Sequence, residues 1–363
     1  MGLQLDRNFL ITTLYKLMKK GNKYGTHRVI DPVGVLPQPA NKIDNNMDEI
    51  YDNEILIDVQ TLNIDSASFT DISARAGGDH AKIAEIMMDI VEKQGKHRNP
   101  WTGSGGMLLG KVEKIGSALE GKIDLKVGDK IATLVSLSLT PLRIDKIKEI
   151  RADVDQVDID GKAILFESGI YAKIPSDLPE KLALSALDVA GAPAQTARLV
   201  KPGDTVVIIG AGGKSGMLCC YEAKKRAGVT GKVIGITHSA KSTERLQKLG
   251  FCDEVFSADA TQPVPVLEKI EALTNGQLAD ITINNVNIPD TEMTSILITK
   301  DTGVVYFFSM ATSFTKAALG AEGVGSDVTM LIGNGYTKGH AEITLQELRE
   351  SEELRKIFTE LYA

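Results

Sequence analysis

The sequence predicts an α/β protein in two parts, a β-barrel followed by a doubly wound parallel sheet. Two changes along the chain carry this expectation. Before about residue 180 the chain offers short alternating strands separated by turns, the pattern of a compact barrel with few helices. From Leu182 onward helical and strand patterns alternate, as in a parallel sheet covered on both faces. With 363 residues there is enough chain for two cores.

Taken in order, residues 1 to about 50 are polar and turn-rich, with the cluster DPVGVLPQP at Asp31–Pro39. EILIDVQ (Glu54–Gln60) alternates as a strand, and TLNIDSASF (Thr61–Phe69) reads as its end and a turn. Ala81–Lys93 has the spacing of an amphipathic helix. Gly95–Gly106 is a loop, Met107–Gly116 a strand, Leu125–Leu134 a turn and strand, and Gly161–Pro175 one or two more. Thr205–Ile209 is a short β-branched run that reads as a buried parallel strand. Four glycines follow at once, then a helix at Met217–Ala227 closed by Gly228 and a second strand at Lys232–Thr237. Helices at Lys241–Leu249, Pro265–Thr274 and Thr291–Ile298 then alternate with strands at Glu254–Val255, Ala279–Val286, Gly303–Met310 and Asp327–Gly335. The last stretch is a charged amphipathic helical tail. The expected division is residues 1–188 with 336–363 as one domain and 189–335 as the other.

Composition narrows the partners. A net charge of −7 and a single Trp argue against a nucleic acid or an anionic membrane. The amino terminus carries an early acidic residue and no uninterrupted apolar core, so no secretory leader is expected. No stretch approaches the roughly 18 apolar residues of a membrane span. The three cysteines, Cys219, Cys220 and Cys252, offer neither a disulfide framework nor zinc spacing, and they fit a reducing cytoplasm.

The glycines supply the first functional inference. A strand, a glycine turn, a helix and a strand form the first unit of a dinucleotide-binding fold. Bare backbone at Gly210, Gly212 and Gly213 lets a diphosphate approach the N–H groups and the positive end of the helix. A side chain at Gly216 would push the helix away. The spacing reads as G-x-G-x-x-x-G or G-x-x-G-x-x-G, a slight departure from the usual fingerprint. Lys214 and Ser215 lie within the turn, beside the expected diphosphate.

A β-rich first half feeding a late dinucleotide unit resembles the medium-chain dehydrogenase/reductase superfamily over nearly the whole chain. GMLLGKVEKIGSALEGKIDLKVGDKIA (Gly106–Ala132) and VKPGDTVVIIGAGGKSG (Val200–Gly216) carry the resemblance. It implies a GroES-like β-barrel catalytic domain, completed by the chain's last stretch, and a Rossmann cofactor domain. LNIDSASF, RNPWTGSGGMLLGKVEKIG and ALDVAGAPAQTARLVKPGD are further similar to the diaminohexanoate dehydrogenases of lysine fermentation. That family implies oxidative deamination of a diamino acid with reduction of a nicotinamide cofactor. Two other readings stay open: a zinc-free enone or quinone reductase, and a relative that binds the cofactor without turnover.

The zinc ligands of the superfamily have no counterpart here. Asn63-Ile64-Asp65-Ser66 stands where the first cysteine ligand would be, Met107 near the histidine ligand and Val189 near the last cysteine. Asp65, His80 or His97 would have to build an unfamiliar site, so no metal is expected. A base must then do what zinc does, because an ammonium with a pKa of ~10 has no lone pair to expel a hydride. Asp65 and Ser66 occupy the family's first active-site positions, Asp188 abuts the last, and Thr102 and Ser104 precede Met107. These are the catalytic candidates. Asp65, Asp71, Asp188 or Glu167 could pair with substrate ammonium groups, and Arg98, Arg75 or Lys173 with its carboxylate. Each also has a plain alternative as a turn cap, a helix cap or a solvated charge.

Cofactor choice stays open. No carboxylate stands at Ile236-Thr237-His238-Ser239, where an NAD ribose would be held, and Ser239 with Lys241 could hold the 2′-phosphate of NADP. Fermentation chemistry implies NAD. Asn285 and Ser309, at the ends of later strands, should line the nicotinamide side. A homodimer is expected by analogy, through an apolar edge at Asp327–Gly335.

Overall fold

The computed structural model of the chain describes residues 19–309, 311–333 and 335–362. The reading of the amino terminus therefore lies mostly outside the described residues, as does Met310 at the end of an expected strand. The chain forms two compact units that divide between Asp177 and Leu178.

In the first unit, β1 (Val29–Asp31) and β2 (Lys42–Ile43) form a small antiparallel pair. β3 (Glu54–Ile64) leads into two helices, α1 (Ser66–Ala76) and α2 (His80–Gln94). Then come β4 (Gly106–Ile115), β5 (Lys130–Thr133), β6 (Leu142–Arg151), β7 (Gln156–Phe166) and β8 (Tyr171–Lys173). They make one antiparallel sheet in the order β6-β7-β3-β4-β5-β8. Ile72, Ile83, Met87 and Ile90 of the helices share its core with Leu62, Leu108 and Val157.

Two local readings change. Ser66–Phe69 begins a helix, because Phe69, Ile72 and Ala76 bury one stripe at helical spacing. β6 was not foreseen. It is an edge strand in which Leu142, Ile144 and Ile150 are buried between outward charges.

A buried ion pair anchors β3. Arg28, 1% exposed, donates through Nε and Nη2 at 2.7 Å to Glu54, itself 0% exposed. Burial opposes the charge on Glu54, but hydrogen bonds from Arg28 and His27 outweigh it and hold the carboxyl below its ordinary value. A lowered carboxyl pKa stabilises above its unfolded value and is lost as pH falls through the folded one. Glu54→Ala should cost about 3–5 kcal/mol at neutral pH, since it leaves Arg28 charged and unpaired. The gap between variant and wild type, followed by urea denaturation, should narrow below about pH 4.

The second unit opens with α3 (Glu180–Leu187) and α4 (Gly191–Leu199), then β9 (Thr205–Ile209), α5 (Lys214–Ala227) and β10 (Lys232–Thr237). α6 (Ala240–Leu249), β11 (Glu254–Ser257), α7 (Pro263–Thr274) and β12 (Ala279–Asn284) continue the alternation. α8 (Glu292–Leu297), β13 (Thr299–Phe307), α9 (Phe314–Val324) and β14 (Thr329–Ile332) follow. All six strands are parallel, in the order β11-β10-β9-β12-β13-β14. The order reverses between β9 and β12, which opens a crevice at their carboxyl ends.

The carboxyl-terminal tail is two helices, α10 (His340–Glu350) and α11 (Glu352–Tyr362). They belong to the second unit, as do residues 178–188, and this differs from the expected division. α11 contacts α3, and α10 contacts α4, α3 and α5. The cause is apolar: Leu354 and Phe358 of α11, like Leu182, Ala183 and Ala186 of α3, are buried.

Candidate active site

In the second unit the glycine turn sits at the reversal of strand order. Gly210 has φ +79°, and a Cβ there would stand 2.8 Å from Val286 Cγ2 just past β12. At Gly212 a Cβ would meet Ser242 Cβ at 2.7 Å, so α6 packs against the turn. At Gly213 it would meet nothing nearer than Gly210 O at 3.4 Å, so only a ligand needs that position bare. Gly213 is the N-cap of α5, and no side chain caps that helix, which leaves its first-turn amides for an anion.

Three side chains gather at this turn. Lys214 Nζ donates to Asp188 Oδ2 at 3.0 Å and lies 5.3 Å from the centre of the Tyr362 ring. Arg245 Nη2 donates to Gly212 O at 2.7 Å. Asp188, read as a base candidate, is thus the ion-pair partner of Lys214 (29% and 31% exposed side chains). Ser215 lies in the first turn of α5. Asn285 follows β12, and both its amide nitrogen and oxygen are buried without a hydrogen bond among the described residues. This orphaned amide in the crevice, with the uncapped helix, fits a nicotinamide dinucleotide. Ser309 Oγ accepts from Ala311 N.

The residues expected at the ribose end lie at the end of β10 and the start of α6. Thr237 is buried and pairs with Thr243 at 2.5 Å between hydroxyls. Ser239 caps α6 through a capping box with Ser242, and Lys241 is exposed. Asp259, which sequence spacing does not point to, feels the charge of His238. Its carboxyl is held low chiefly by the Thr261 N–H and hydroxyl, with His238 adding to them.

In the first unit, Asp65 stands at the N-cap of α1 and its Oδ2 accepts the Gly105 N–H at 3.0 Å. That bond ties α1 to the loop before β4. Three hydroxyls meet across the same junction: Ser68 Oγ lies 2.7 Å from Thr102 Oγ1 and 2.5 Å from Ser104 Oγ, which are 3.1 Å from each other. Asn99, fully buried, holds the loop by donating to Ser68 O and Asp71 Oδ2 and accepting from the Trp101 and Thr102 N–H groups. Arg75 pairs with Asp71 and stacks 3.6 Å over the Trp101 ring.

Asp65, Thr102, Ser104, Asp71 and Arg75 therefore share one surface. Ser66 instead donates to Asp155. Glu167 accepts from Asn53, and Lys173 pairs with Asp124 and Asp129. Ser68 and Asn99 were missed. Their pairing spans about thirty residues of sequence, and only Ser68's place one turn into a helix would have hinted at it.

The zinc question is one of ligands. Among the described residues no three His, Cys, Asp or Glu side chains converge as a metal site requires. His97 is wholly buried, neither ring nitrogen is hydrogen-bonded, and burial pushes its pKa down to about 4. Burial pushes the Cys219 thiol up to about 12, and the Cys220 thiol upward as well. Of the residues at the superfamily's ligand positions, Asp65, Met107 and Val189, only Asp65 carries a usual zinc donor.

A six-stranded parallel sheet in this order, with a glycine turn at its switch point, is the Rossmann architecture of dinucleotide-binding proteins. Residues 215–324 match the zinc-binding dehydrogenase family model, and residues 27–175 match the N-terminal domain of L-erythro-3,5-diaminohexanoate dehydrogenase. The chain belongs to the L-erythro-3,5-diaminohexanoate dehydrogenase family. It is 67% identical to the L-erythro-3,5-diaminohexanoate dehydrogenase of Acetoanaerobium sticklandii, over 94% of this chain and 99% of that one. It is 63% identical to that of Fusobacterium nucleatum, over 95% and 100%. Among solved structures, a mycobacterial protein complexed with NADPH shares the fold, with a TM-score of 0.52, 18% identity, and coverage of 88% and 84%.

Proposed function

We propose that the chain catalyses oxidative deamination of L-erythro-3,5-diaminohexanoate to 5-amino-3-oxohexanoate and ammonia. The observation that carries this is the near full-length identity of 67% to a dehydrogenase of that name. The cofactor, held at Gly210–Gly216 with Lys214, Arg245 and Asn285 around it, supplies the hydride acceptor. Asp65 takes the proton from the reacting ammonium, so that the nitrogen lone pair can drive hydride departure. The Ser68, Thr102 and Ser104 hydroxyls form a short donor–acceptor chain that passes that proton on and orients the water attacking the iminium. Asp71 faces the second ammonium group. Asp188 acts through Lys214, which it holds at the turn.

NAD is the preferred cofactor in this reading. Ser239 is spent on capping α6, which leaves Lys241 as the one predicted contact for a 2′-phosphate, while Asp259 near His238 suits a ribose hydroxyl. The test is reduction of NAD and of NADP by L-erythro-3,5-diaminohexanoate with chelator-treated protein, with ammonia measured in parallel. Ammonia release with faster NAD reduction is expected. Reduction of an enone by NADPH with no amine oxidation would sink the reading.

We also propose a homodimer through β14, where Ile332 is 65% exposed at the edge of the sheet. Light scattering should give twice 39.1 kDa, and Ile332→Glu should lower it. The three free thiols suit a cytoplasmic enzyme. Among the described residues no helix is long and apolar enough to cross a membrane.

A further inference from the structure

In the first unit, the last turn of α1 and the loop before β4 hold a guanidinium in place with most of its donors unused. Arg75 Nε donates to both oxygens of Asp71, one helical turn earlier, at 3.1 and 3.0 Å. Its Cζ sits 3.6 Å from the centre of the Trp101 ring. The remaining donors, on Nη1 and Nη2, have no acceptor among the described residues. Asp71 is anchored in turn by Asn99, fully buried, whose Nδ2 donates to Asp71 Oδ2 at 3.2 Å. Hydrogen bonding by Arg75, and then by Asn99, keeps the Asp71 carboxyl below its ordinary value, so the pair stays charged. The same Asn99 accepts the Trp101 and Thr102 N–H groups. One buried amide thus fixes both the carboxylate beside Arg75 and the loop that carries the indole. Trp101 is 52% exposed and the Arg75 side chain 41%. An exposed pair of this kind adds little stability, and stability alone does not call for a buried amide to hold both partners.

We infer that Arg75 binds the substrate carboxylate and that Trp101 and Asp71 position it, an assignment that rests on the diamino acid being the substrate. A guanidinium stacked on its flat face and tied at Nε presents Nη1 and Nη2 in one plane, the fork that matches two carboxylate oxygens. Asp71 already offsets one positive charge, which suits a monoanion better than a phosphate. The Ser68, Thr102 and Ser104 hydroxyls adjoin this fork. Asn99 Nδ2 also reaches Ser68 O at 3.3 Å, and Thr102 follows Trp101 in the chain. In the diamino acid one methylene separates the carboxylate from the carbon that loses hydride. A carboxylate on Arg75 therefore leaves the reacting nitrogen on the side of those hydroxyls. Lys173, a rival for this role, is taken up by Asp124 and Asp129.

The test compares L-erythro-3,5-diaminohexanoate with its primary amide as substrates of the full-length protein. Wild type, Arg75→Gln and Arg75→Lys are measured, with circular dichroism as the folding control. The wild type should favour the acid, chiefly through KM. Arg75→Gln should raise KM for the acid about tenfold to a hundredfold, the loss expected for charge-assisted hydrogen bonds, and raise it far less for the amide. Arg75→Lys keeps the charge without the fork and should recover part of that loss. Equal losses on acid and amide would overturn the inference, as would a preference for the acid that survives Arg75→Gln or is abolished by Arg98→Gln instead. Trp101 is the chain's one tryptophan, so its emission reports binding without turnover. If the wild type oxidises neither compound, the proposed function fails and that titration alone judges the fork. A saturable change with the acid, absent with the amide and in Arg75→Gln, supports it, and no change with the acid overturns it.

Discussion

Asp65→Asn is expected to lower kcat by about 10² to 10⁴ while leaving the fold intact. An amide can still accept the Gly105 N–H through its oxygen, so the tie between α1 and the loop before β4 survives. What is lost is the ability to take a proton. Ser68→Ala should cost less, because Thr102 and Ser104 remain 3.1 Å apart and can still bond each other. Asp188→Asn should behave differently again. It frees Lys214 beside the diphosphate turn, so it should move KM for the cofactor more than kcat. Steady-state kinetics on the three variants, with circular dichroism as the folding control, separate these roles. If Asp65→Asn stays within tenfold of wild type while Asp188→Asn loses kcat, the base has been assigned to the wrong carboxylate.

Gly216→Ala should weaken cofactor binding by roughly tenfold to a hundredfold. An added Cβ would stand 2.1 Å from Gly210 O and 2.7 Å from Ala211 Cα. Both are backbone atoms of the turn that must receive the diphosphate, so relief requires the start of α5 to move. Overpacking of this kind costs about 1–3 kcal/mol, and each 1.4 kcal/mol is about tenfold in affinity. Gly213→Ala is the matched comparison. Its Cβ finds nothing closer than 3.4 Å, so it should leave stability alone and act only on the ligand's approach. Fluorescence titration with the reduced cofactor measures both. Wild-type binding in Gly216→Ala would mean that the dinucleotide sits somewhere other than this turn.

The sequence by itself determined what depends on neighbours along the chain. β9, the glycine turn, α5 and β10 are legible because a β-branched run, bare backbone and a helical stripe are local properties. So was the loss of the zinc ligands, which is a matter of residue type at Asp65, Met107 and Val189. The family followed from local motifs as well. The tertiary structure decided everything that joins distant segments. It put Ser68 against Thr102 and Ser104 across more than thirty residues, paired Asp188 with Lys214, and turned Ser239 into a helix cap. It also gave α10 and α11 to the second unit, where a charged tail hides Leu354 and Phe358. A side chain's partner depends on which surfaces bury together, and the spacing of residues along the chain does not contain that information.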